Sequence, residues 1–375
     1  MASQSFTRKE GDVTVLDGSI KEGGGQVLRN SMCYAGLLKF PLMVINIRAG
    51  RPKPGLAAQH LTGIQLVRDL CSGNLQGGLI GSTQIVFRPG KTIGDQSNYR
   101  ADPQTAGSIS LLSQIALPIL FFSPGPLTVE LRGGTHVSTS PPLDFVAEVL
   151  RPTLERFGAH FDIETERKGF YPKGGGIVHL STTPVHQLRP IDLTDRGKVV
   201  SIRCIAFVSG IPDHVAGRMA SAAQTALKAR LGKKVPIEQD IRIDPSTNRV
   251  GQGTAIICVA ETSTGCLLAG SGLGERGVTA EKVGEGAANM LLANLDHGEC
   301  VDEHLQDQVI IYMALANGRS RIRTGPLTLH TETSIAVAEA LTQAKFQVSP
   351  VPGSEGAFLI ECDGIGYTNH SLASS

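Results

Sequence analysis

The sequence predicts a mixed α+β or α/β fold of repeated strand–helix units, with the helices on one face of each sheet and a smaller inserted α/β domain. Two segments, beginning at Ile47 and Leu131, follow the same order: a strand, an Arg–small–Gly sequence, a Pro-containing loop and a helix stopped by Gly. A triple glycine also occurs twice, in KEGGGQVLR and in PKGGGIVHL. Strands rich in Val and Ile flank both units, so each unit is predicted to cover part of a sheet.

The helices of these units are predicted from the spacing of their apolar residues. An apolar stripe at helical spacing runs through residues 61–71 in the first unit and through residues 145–154 in the second. The longest apolar run, residues 111–122, is interrupted by Gln114 and Pro118 and is too short to span a bilayer. We therefore expect a buried helix there and no membrane partner.

The segment from residue 195 to residue 297 differs in character from the rest of the chain. It contains the strand-like sequence VVSIRCIAFVSG, an Ala-rich helix over 214–231, the candidate buried strand TAIICVAET and a second helix over 280–295. We predict that 195–297 forms an inserted small α/β domain. Residues 1–194 and 298–375 are then expected to form one large domain of repeated units.

Charge and composition limit the classes of partner. Lys and Arg total 35 against 34 for Asp and Glu, a formal net charge of +1, whereas a general duplex binder needs a dense basic face. Aromatic residues make up only 5% of the chain, so few side chains are available to stack on single-stranded bases. If a nucleic acid binds, a local contact such as an RNA terminus fits this composition better than a long tract.

The seven cysteines are odd in number and contain no CxxC pair, which favours reduced thiols over a disulfide partner or a zinc cluster. The opening residues, MASQSFTRKEGD, lack an apolar stretch and are not expected to act as a signal peptide. Both features indicate an intracellular protein.

The segment DGSIKEGGGQVLRNS, residues 17–31, is the most distinctive candidate for a ligand site. Its three consecutive glycines allow a ligand to approach the backbone closely. Glu22 precedes them, and Arg29 lies one turn into the following helix. A carboxylate beside a phosphate is unfavourable unless a divalent cation lies between them, so Glu22 is suited to Mg²⁺. The alternative is a tight strand-to-helix turn with a solvated Glu22.

Further polar residues occur where they can join the same site. Arg48 and Arg51 flank a glycine at a strand end, where guanidinium groups either contact phosphate in bidentate fashion or remain solvated. Gln59 is predicted in the first turn of the next helix, on the same rim. Gln114 lies inside an apolar helix, where its amide either faces a polar cleft or satisfies a core hydrogen bond.

Beyond the insertion, a helix is expected near residues 302–316, followed by the strand PLTLH and the helix TSIAVAEALTQA. Asp307 and Gln308 interrupt the first of these helices, so at least one is expected to face a polar cleft, although a lone Asp on a helix face is more often solvated. His330 ends the strand and precedes a helix expected to begin near Thr333. A neutral imidazole beside a helix N-terminus can attack phosphorus, whereas local sequence alone favours a structural histidine.

Seven motifs of the chain are DGSIKEGGGQVLR, IRAGRPKPGLAAQHLTG, TAGSISLL, YPKGGG, ETSTGCLLAGSGLGERG, LQDQ and TLHTETSIA. Together they resemble the RNA 3′-terminal phosphate cyclase family, especially its animal form. The resemblance runs from about residue 14 to about residue 370, in the family's order. It implies repeated units with helices on one side of a sheet and a small inserted α/β domain, in agreement with the repeats.

The resemblance implies an ATP-dependent enzyme of the ligase class that converts an RNA 3′-phosphate into a 2′,3′-cyclic phosphate. His330 would attack the α-phosphorus of ATP and release pyrophosphate. AMP would pass to the RNA 3′-phosphate and give an RNA–pp–A end, from which the terminal 2′-OH would expel AMP as it closes the ring. The 2′-OH is already held next to the phosphorus, which is a large proximity advantage and explains a requirement for ribose.

The resemblance also implies roles for individual residues. The nucleotide site would consist of Glu22, Arg29, Arg48, Arg51, Gln59, Gln114, Phe145, Asp307, Gln308 and His330. Glu22 would contact Mg²⁺ or Mn²⁺, the arginines would bind the ATP phosphates, and Phe145 would pack against adenine. His304 stands where many relatives have Tyr, so its contact is not carried over. The implied location is the nucleoplasm, with the cytoplasm as the alternative, and KARLGKK is only a weak candidate for an import signal.

Three other functions compete with this interpretation. A non-catalytic cyclase-like protein of ribosome biogenesis shares the fold but lacks the nucleophilic histidine, so His330 in its motif argues for an enzyme. An enolpyruvyl-transferase-like enzyme built on similar repeats binds anionic small molecules and needs no histidine–nucleotide adduct. An RNA-binding module without catalysis is disfavoured by the near-neutral charge and the scarce aromatic residues.

Overall fold

The computed structural model of the chain describes residues 6–96, 98–138, 140–245 and 249–372. The helices are α1 (Gly25–Leu38), α2 (Ala58–Leu70), α3 (Ile109–Leu120), α4 (Leu143–Phe145), α5 (Arg151–Arg156), α6 (His214–Leu231), α7 (Ala280–Asp296), α8 (Ile310–Leu315) and α9 (Leu329–Leu341). A π-helical stretch, Val146–Leu150, joins α4 to α5. The strands are β1 (Thr7–Glu10), β2 (Val13–Asp17), β3 (Leu42–Ile45), β4 (Asn74–Gln76), β5 (Ile85–Arg88), β6 (Tyr99–Ala101), β7 (Leu127–Gly133), β8 (His160–Arg167), β9 (Gly176–Thr183), β10 (Asp192–Leu193), β11 (Val199–Ser209), β12 (Ile237–Ile243), β13 (Gly253–Thr262), β14 (Leu267–Leu273), β15 (Arg319–Thr324), β16 (Lys345–Pro350) and β17 (Phe358–Asp363).

Three units of this fold share one strand order. Unit 1 consists of β2–β5 with α1 and α2, unit 2 of β6–β9 with α3 to α5, and unit 3 of β10 and β15–β17 with α8 and α9. In each unit the first strand pairs parallel with the second, the second pairs antiparallel with the fourth, and the fourth pairs antiparallel with the third. One helix follows the first strand and another follows the second. The predicted fold class is confirmed, and the sequence repeat seen in two units extends to a third.

The helices of the three units pack on one another and form much of the core. α1 contacts α2, α3 and α9, so it joins all three units. In α3, ten of the twelve residues are buried, as expected for a helix that is apolar on nearly every side. The buried helix predicted over residues 111–122 is therefore confirmed, with its start two residues earlier. No helix in the described ranges is long and apolar enough to cross a membrane.

The inserted sheet, which we define as β11–β14 with helices α6 and α7, lies in the chain between β10 and α8 of unit 3. Its strand order is β12-β11-β13-β14, and α6 and α7 pack against each other and against the sheet. Its buried side chains are continuous with those of the three units. The helix predicted over 214–231 is confirmed, and α7 matches the other predicted helix to within one residue. The division into domains at 195 and 297 stays a prediction.

The start of the last helix corrects the predicted position of His330. No strand forms over PLTLH, because α9 already begins at Leu329. The Thr328 hydroxyl accepts the Thr331 N–H at 3.1 Å and thereby caps the helix one turn earlier than expected. His330 therefore lies in the first turn of α9, and Thr333, the expected start, is fully buried inside the helix.

The helix expected near residues 302–316 is also shorter, since only α8 is helical. The Asp302 carboxylate accepts the Leu305 N–H at 2.8 Å and stabilises a series of turns before α8. Asp307 and Gln308 lie in these turns and not in a helix. The Asp302 carboxylate binds backbone N–H groups that a helix would otherwise use, which explains why the helix starts later than predicted.

The Arg–small–Gly sequence had predicted that Arg48 lies at the end of a strand, and this prediction is wrong. β3 ends at Ile45, and both Asn46 and Arg48 adopt the left-handed conformation, with φ of 54° and 52°. Such a conformation is uncommon for a residue with a side chain and breaks the strand. The chain therefore turns before Arg48, and the guanidinium group projects from a loop.

Candidate active site

A cavity of about 830 Å³ lies where helix starts from all three units meet the inserted sheet. Helices α1, α2, α4 and α9 contribute residues at or beside their N-terminal ends, and β14 contributes residues 271–273. Free N–H groups and positive dipole ends at such positions favour an anion such as phosphate. Nine of the ten candidate residues line this cavity: Glu22, Arg29, Arg48, Arg51, Gln59, Gln114, Asp307, Gln308 and His330.

Glu22 lies on the turn that precedes α1. Its carboxylate pairs with Arg51, while Oε2 is buried and has no hydrogen-bond partner among the described residues. Its N–H donates to Thr333 Oγ1 at 3.2 Å, which ties unit 1 to α9. A buried, unsatisfied carboxylate oxygen suits a divalent cation that also contacts phosphate. Glu22 therefore fits the expected metal contact, although the described ranges hold no group of three His, Cys, Asp or Glu arranged to bind a metal alone.

Arg29 is held in place by a short chain of hydrogen bonds across two units. Its Nη2 donates to Gln26 Oε1, and Gln26 Nε2 donates to Ser334 Oγ at 2.9 Å on α9. Burial lowers the pKa of Arg29 to about 10, and the charge of Asp307 opposes this shift, so the guanidinium stays protonated at neutral pH. Its Nε has no partner among the described residues. A fixed cation with an unused donor is suited to binding phosphate.

Arg48 and Gln59 use part of their hydrogen-bonding capacity to shape the cavity wall. Arg48 Nη1 donates to the carbonyl oxygens of Lys53 at 3.0 Å and Gly55 at 2.8 Å, which closes the loop after β3. Gln59 Oε1 accepts the Ser108 N–H at 2.9 Å, just before α3. The expected ligand contacts of both side chains must therefore come from their remaining N–H groups.

Three further polar residues, Gln114, Asp307 and Gln308, form part of the cavity wall. Oε1 of Gln114 and Oε1 of Gln308 are buried, and neither has a hydrogen-bond partner in the part of the chain that the structure describes. Gln308 Nε2 donates to the His304 carbonyl at 2.6 Å. Burial raises the pKa of Asp307, while the charges of His330 and Arg29 lower it. Unsatisfied buried acceptors indicate that a polar ligand completes this wall.

His330 opens onto the cavity from the first turn of α9. Its imidazole makes no hydrogen bond within the described ranges. Enclosure by the cavity walls lowers the pKa of His330, Asp307 opposes this shift, and Arg29 and Arg51 lower the pKa further. The ring is therefore neutral at neutral pH, with a nitrogen lone pair free for attack on an electrophile.

His60 is another histidine that lines the cavity, and it was not among the candidate residues. Its Nδ1 accepts the Ala57 N–H at 3.3 Å, so the proton of the neutral ring is on Nε2. Burial lowers the pKa of His60 to about 4, and Arg29, Arg48 and Arg51 add to the effect. A Cβ at Gly25 would lie 2.7 Å from Nε2, so this donor faces the glycine turn. The signal available in the sequence was its position beside Gln59 at the start of a predicted helix.

Phe145 is the one candidate that does not line the cavity. It is buried, and its ring meets the ring of His304 edge-on, with centroids 5.9 Å apart. His304 does line the cavity, together with Pro142 at the start of α4. The expected packing of Phe145 against adenine stays a prediction, and the rings nearer to the cavity are those of His304 and Pro142.

Comparisons with known proteins identify the family of the chain. A family model described as RNA 3′-terminal phosphate cyclase matches residues 20–348. A Dictyostelium discoideum protein named probable RNA 3′-terminal phosphate cyclase is 42% identical over 98% of this chain and 86% of its own. The chain belongs to the RNA 3′-terminal phosphate cyclase family. The RNA 3′-terminal phosphate cyclases of Pyrobaculum aerophilum and Drosophila melanogaster are 40% and 39% identical over 94% of this chain and over 98% and 97% of theirs.

Membership of the RNA 3′-terminal phosphate cyclase family confirms the resemblance inferred from the seven motifs. The matched relatives cover nearly the whole chain, so the family extends over all three units and the inserted sheet. They are named after an enzyme activity on RNA 3′-terminal phosphate. The roles expected of individual residues rest on the motifs and on the geometry described above, and they stay predictions.

Proposed function

We propose that this protein converts an RNA 3′-phosphate to a 2′,3′-cyclic phosphate at the expense of ATP, through a covalent His330–AMP intermediate. The observation that carries the proposal is the state of His330, which is open to the cavity, makes no hydrogen bond within the described ranges and has a lowered pKa. A ring nitrogen in that state is a nucleophile ready at neutral pH. Family membership supports the substrate class.

In the first step, a nitrogen of His330 attacks the α-phosphorus of ATP, and the bond to the bridging oxygen breaks as pyrophosphate leaves. Arg29, Arg48 and Arg51 bind the triphosphate, and the His60 Nε2–H donates to one of its oxygens. Hydrogen-bond donors fixed near developing negative charge stabilise the transition state more in an enclosed site than in water. The unsatisfied amide oxygens of Gln114 and Gln308 suit the donors of the adenosine.

In the second step, an oxygen of the RNA 3′-phosphate attacks the phosphorus of His330–AMP, which breaks the P–N bond and gives RNA–pp–A. The terminal 2′-OH then attacks the RNA phosphorus, loses its proton and expels AMP. Because the 2′-OH is on the same ribose, this ring closure is intramolecular and gains from proximity. Once pyrophosphate has left, the arginines that bound it are free to bind the RNA phosphate.

The divalent cation expected in this reaction fits Glu22. Its buried Oε2 is unsatisfied among the described residues, and Mg²⁺ in phosphate sites is commonly held by one or two carboxylates together with substrate oxygens. When bound, Mg²⁺ or Mn²⁺ neutralises phosphate charge. Glu22 itself holds Arg51 in place, so its loss is expected to disturb both the cation and the phosphate side of the site.

The test uses an oligoribonucleotide with a labelled 3′-phosphate, incubated with the protein, ATP and Mg²⁺. We expect the label to become resistant to phosphatase as the cyclic phosphate forms, only in the presence of ATP and only with a terminal ribose. A 3′-phosphorylated oligodeoxyribonucleotide is the matched control and is expected to stop at the adenylated end. A non-catalytic protein or a small-molecule transferase would leave the RNA end unchanged, and that result would reject the proposal.

We also propose the nucleoplasm as the place of action, with the cytoplasm as the alternative. This rests on the family resemblance only, because the basic sequence KARLGKK falls at the end of α6, where solvated charges are common. Imaging the tagged protein in animal cells tests the proposal, and a protein confined to the cytoplasm would reject it.

A further inference from the structure

A tight turn between β8 and β9 presents one exposed tyrosine. The Phe170 N–H donates to the Gly174 carbonyl at 3.2 Å, and the Gly174 N–H donates back to the Phe170 carbonyl at 2.7 Å. Tyr171 at the tip is 81% exposed, which is the largest exposed fraction of any large apolar side chain in the described ranges. A chain with no Trp and few aromatic residues places an aromatic ring in solvent here, and tyrosine is a residue type enriched at interfaces.

The base of this turn is fixed in position. Gly174 and Gly175 have φ of +68° and +76°, a region that favours glycine. A Cβ at Gly174 would lie 2.5 Å from the Thr105 carbonyl oxygen, and one at Gly175 would lie 2.7 Å from Val250 Cγ1. Arg167 Nε also donates to the Gly175 carbonyl at 2.7 Å. The backbone next to Tyr171 is therefore held on two sides, so that mainly its side-chain torsions remain to be ordered on binding.

The turn is continuous with two walls of the cavity. On one side Phe170 pairs with His136, which lines the cavity, and their ring centroids are 6.1 Å apart. On the other side Gly174 packs on the loop of residues 105–107. Gly107, the last residue of this loop, lies against Gln59. The turn therefore lies beside the cavity, where a chain whose end is held inside could leave it.

Two lysines accompany the tyrosine. Lys173 is exposed at the tip and has no hydrogen-bond or ion-pair partner among the described residues. Lys168 lies at the base of the turn, with its Nζ 4.4 Å from the ring centroid of Phe207. The charge of Lys168 also acts on the Asp144 carboxylate, so Lys173 is the cation of this turn that is free to meet a phosphate. An exposed aromatic face next to such a cation is the combination that binds single-stranded nucleic acid. The near-zero net charge of the chain makes such a local arrangement more significant.

We propose that this turn binds the nucleotides that precede the RNA 3′-phosphate, with a base stacked on Tyr171 and a backbone phosphate next to Lys173. The proposal rests on the proposed function, since the cavity must hold the terminal phosphate. It extends that function by assigning a path to the RNA outside the cavity. RNA is favoured over a protein partner because the exposed ring is flanked by cations and lies next to a phosphate-binding cavity.

The experiment compares a 3′-phosphorylated oligoribonucleotide with a nucleoside 3′,5′-bisphosphate, which is too short to reach the turn. For Tyr171→Ala we expect KM for the oligonucleotide to rise about fivefold to tenfold, the low end of the loss for one base–aromatic stack. We expect KM for the bisphosphate, kcat and labelling of the protein by ATP to be unchanged. Tyr171→Phe keeps the stacking face and is the matched control, with KM as in the wild type.

A direct binding measurement separates this proposal from the proposed function. Fluorescence anisotropy of the labelled oligonucleotide needs no catalysis, so a weaker Kd for Tyr171→Ala supports the turn as an RNA contact even if no cyclic product forms. Lys173→Gln is expected to weaken binding and to flatten its dependence on salt. Wild-type Kd and KM in Tyr171→Ala, with labelling by ATP intact, would overturn the proposal and leave a protein partner as the explanation of the exposed ring.

Discussion

Units 1 and 3 each place a histidine in the first turn of a corresponding helix, and the two differ in what holds them. His60 of α2 accepts the Ala57 N–H through Nδ1, and its pKa falls to about 4. His330 of α9 bonds to none of the described residues, and nearby Asp307 keeps its pKa from falling further. Both rings are neutral at neutral pH, but only His330 has both nitrogens free.

The difference originates in how the two helices begin. At the start of α2 the N–H of Ala57, the residue before the helix, donates to the ring of His60. At the start of α9 the equivalent N–H, that of Thr328, donates to Gln306 Oε1 at 3.2 Å and leaves His330 free. One supersecondary unit, used twice, thus holds the histidine ring in one copy and leaves it free in the other, and the acceptor of the N–H before the helix decides which.

The largest expected effect separates the two histidines directly. His330→Asn is expected to abolish labelling of the protein by α-labelled ATP, because no nucleophile remains. His60→Asn should still be labelled, with a rate lower by about 100-fold, as for the loss of one donor to developing charge. His330 opens onto the cavity and its ring bonds to none of the described residues, so its replacement should leave Tm unchanged, and circular dichroism checks the fold. Equal loss of labelling in both variants would remove the distinction.

The next effect concerns Glu22, the carboxylate that pairs with Arg51 and is expected to contact the divalent cation. Glu22→Ala is expected to lower the rate of labelling about 10- to 100-fold, the range typical for weakening a metal site. Glu22 pairs with an Arg51 whose side chain is 42% exposed, so stability should change little. Raising the Mg²⁺ or Mn²⁺ concentration should restore part of the rate in the matched Glu22→Asp variant. A labelling rate unchanged in Glu22→Ala would exclude Glu22 from the site.

A smaller effect is expected on the pH dependence of labelling. Attack requires neutral His330, whose pKa lies below the ordinary value of 6.5, so the rate falls only as the pH drops through that lowered pKa. Asp307 raises the pKa of His330 and Arg51 lowers it. The acid limb should therefore move to lower pH in Asp307→Asn and to higher pH in Arg51→Gln. Single-turnover labelling across pH measures both shifts, and movement in the reverse directions would contradict the assignment.

The smallest effect tests the capping residue. Thr328→Ala removes the acceptor for the Thr331 N–H and should lower the free energy of unfolding by about 1 kcal/mol, whereas Thr328→Ser keeps the acceptor. Denaturant titration measures the difference. The Thr328 N–H, which corresponds to the N–H that His60 accepts in α2, keeps Gln306 Oε1 as its acceptor in both variants, so His330 should stay free and both variants should be labelled at the wild-type rate. Slower labelling in Thr328→Ala alone would show that the cap also positions His330.

Much of this arrangement was predictable from the sequence. The repeated strand–helix units and the buried helix α3 followed from periodicity, because apolar spacing reports which face is buried. Repeated units were also expected over 298–375, but the prediction did not recognise that the sequence IRTGPLTLHTETSIA follows the order of IRAGRPKPGLAAQHLTG. The short first strand β10 and the long insertion after it obscure that correspondence.

Side-chain caps explain what the sequence could not predict. The strand expected at PLTLH and the helix expected near residue 302 both failed because Thr328 and Asp302 bind backbone N–H groups, and periodicity does not report such bonds. Nine of the ten candidate residues line one cavity, but the state of each ring depends on neighbours that are distant in the chain. His60 illustrates the limit, since its pKa is lowered by burial and then by three arginines, and its tautomer is fixed by the Ala57 N–H.

Locating the AMP on the protein is the most direct test of this account. The wild-type protein would be incubated with ATP and Mg²⁺, digested under alkaline conditions that preserve a P–N bond, and mapped by mass spectrometry. We expect one adenylated residue, His330, and release of the AMP when RNA with a 3′-phosphate is added. AMP on His60 or on a lysine, or no adduct at all, would contradict the proposed division of roles between the two histidines.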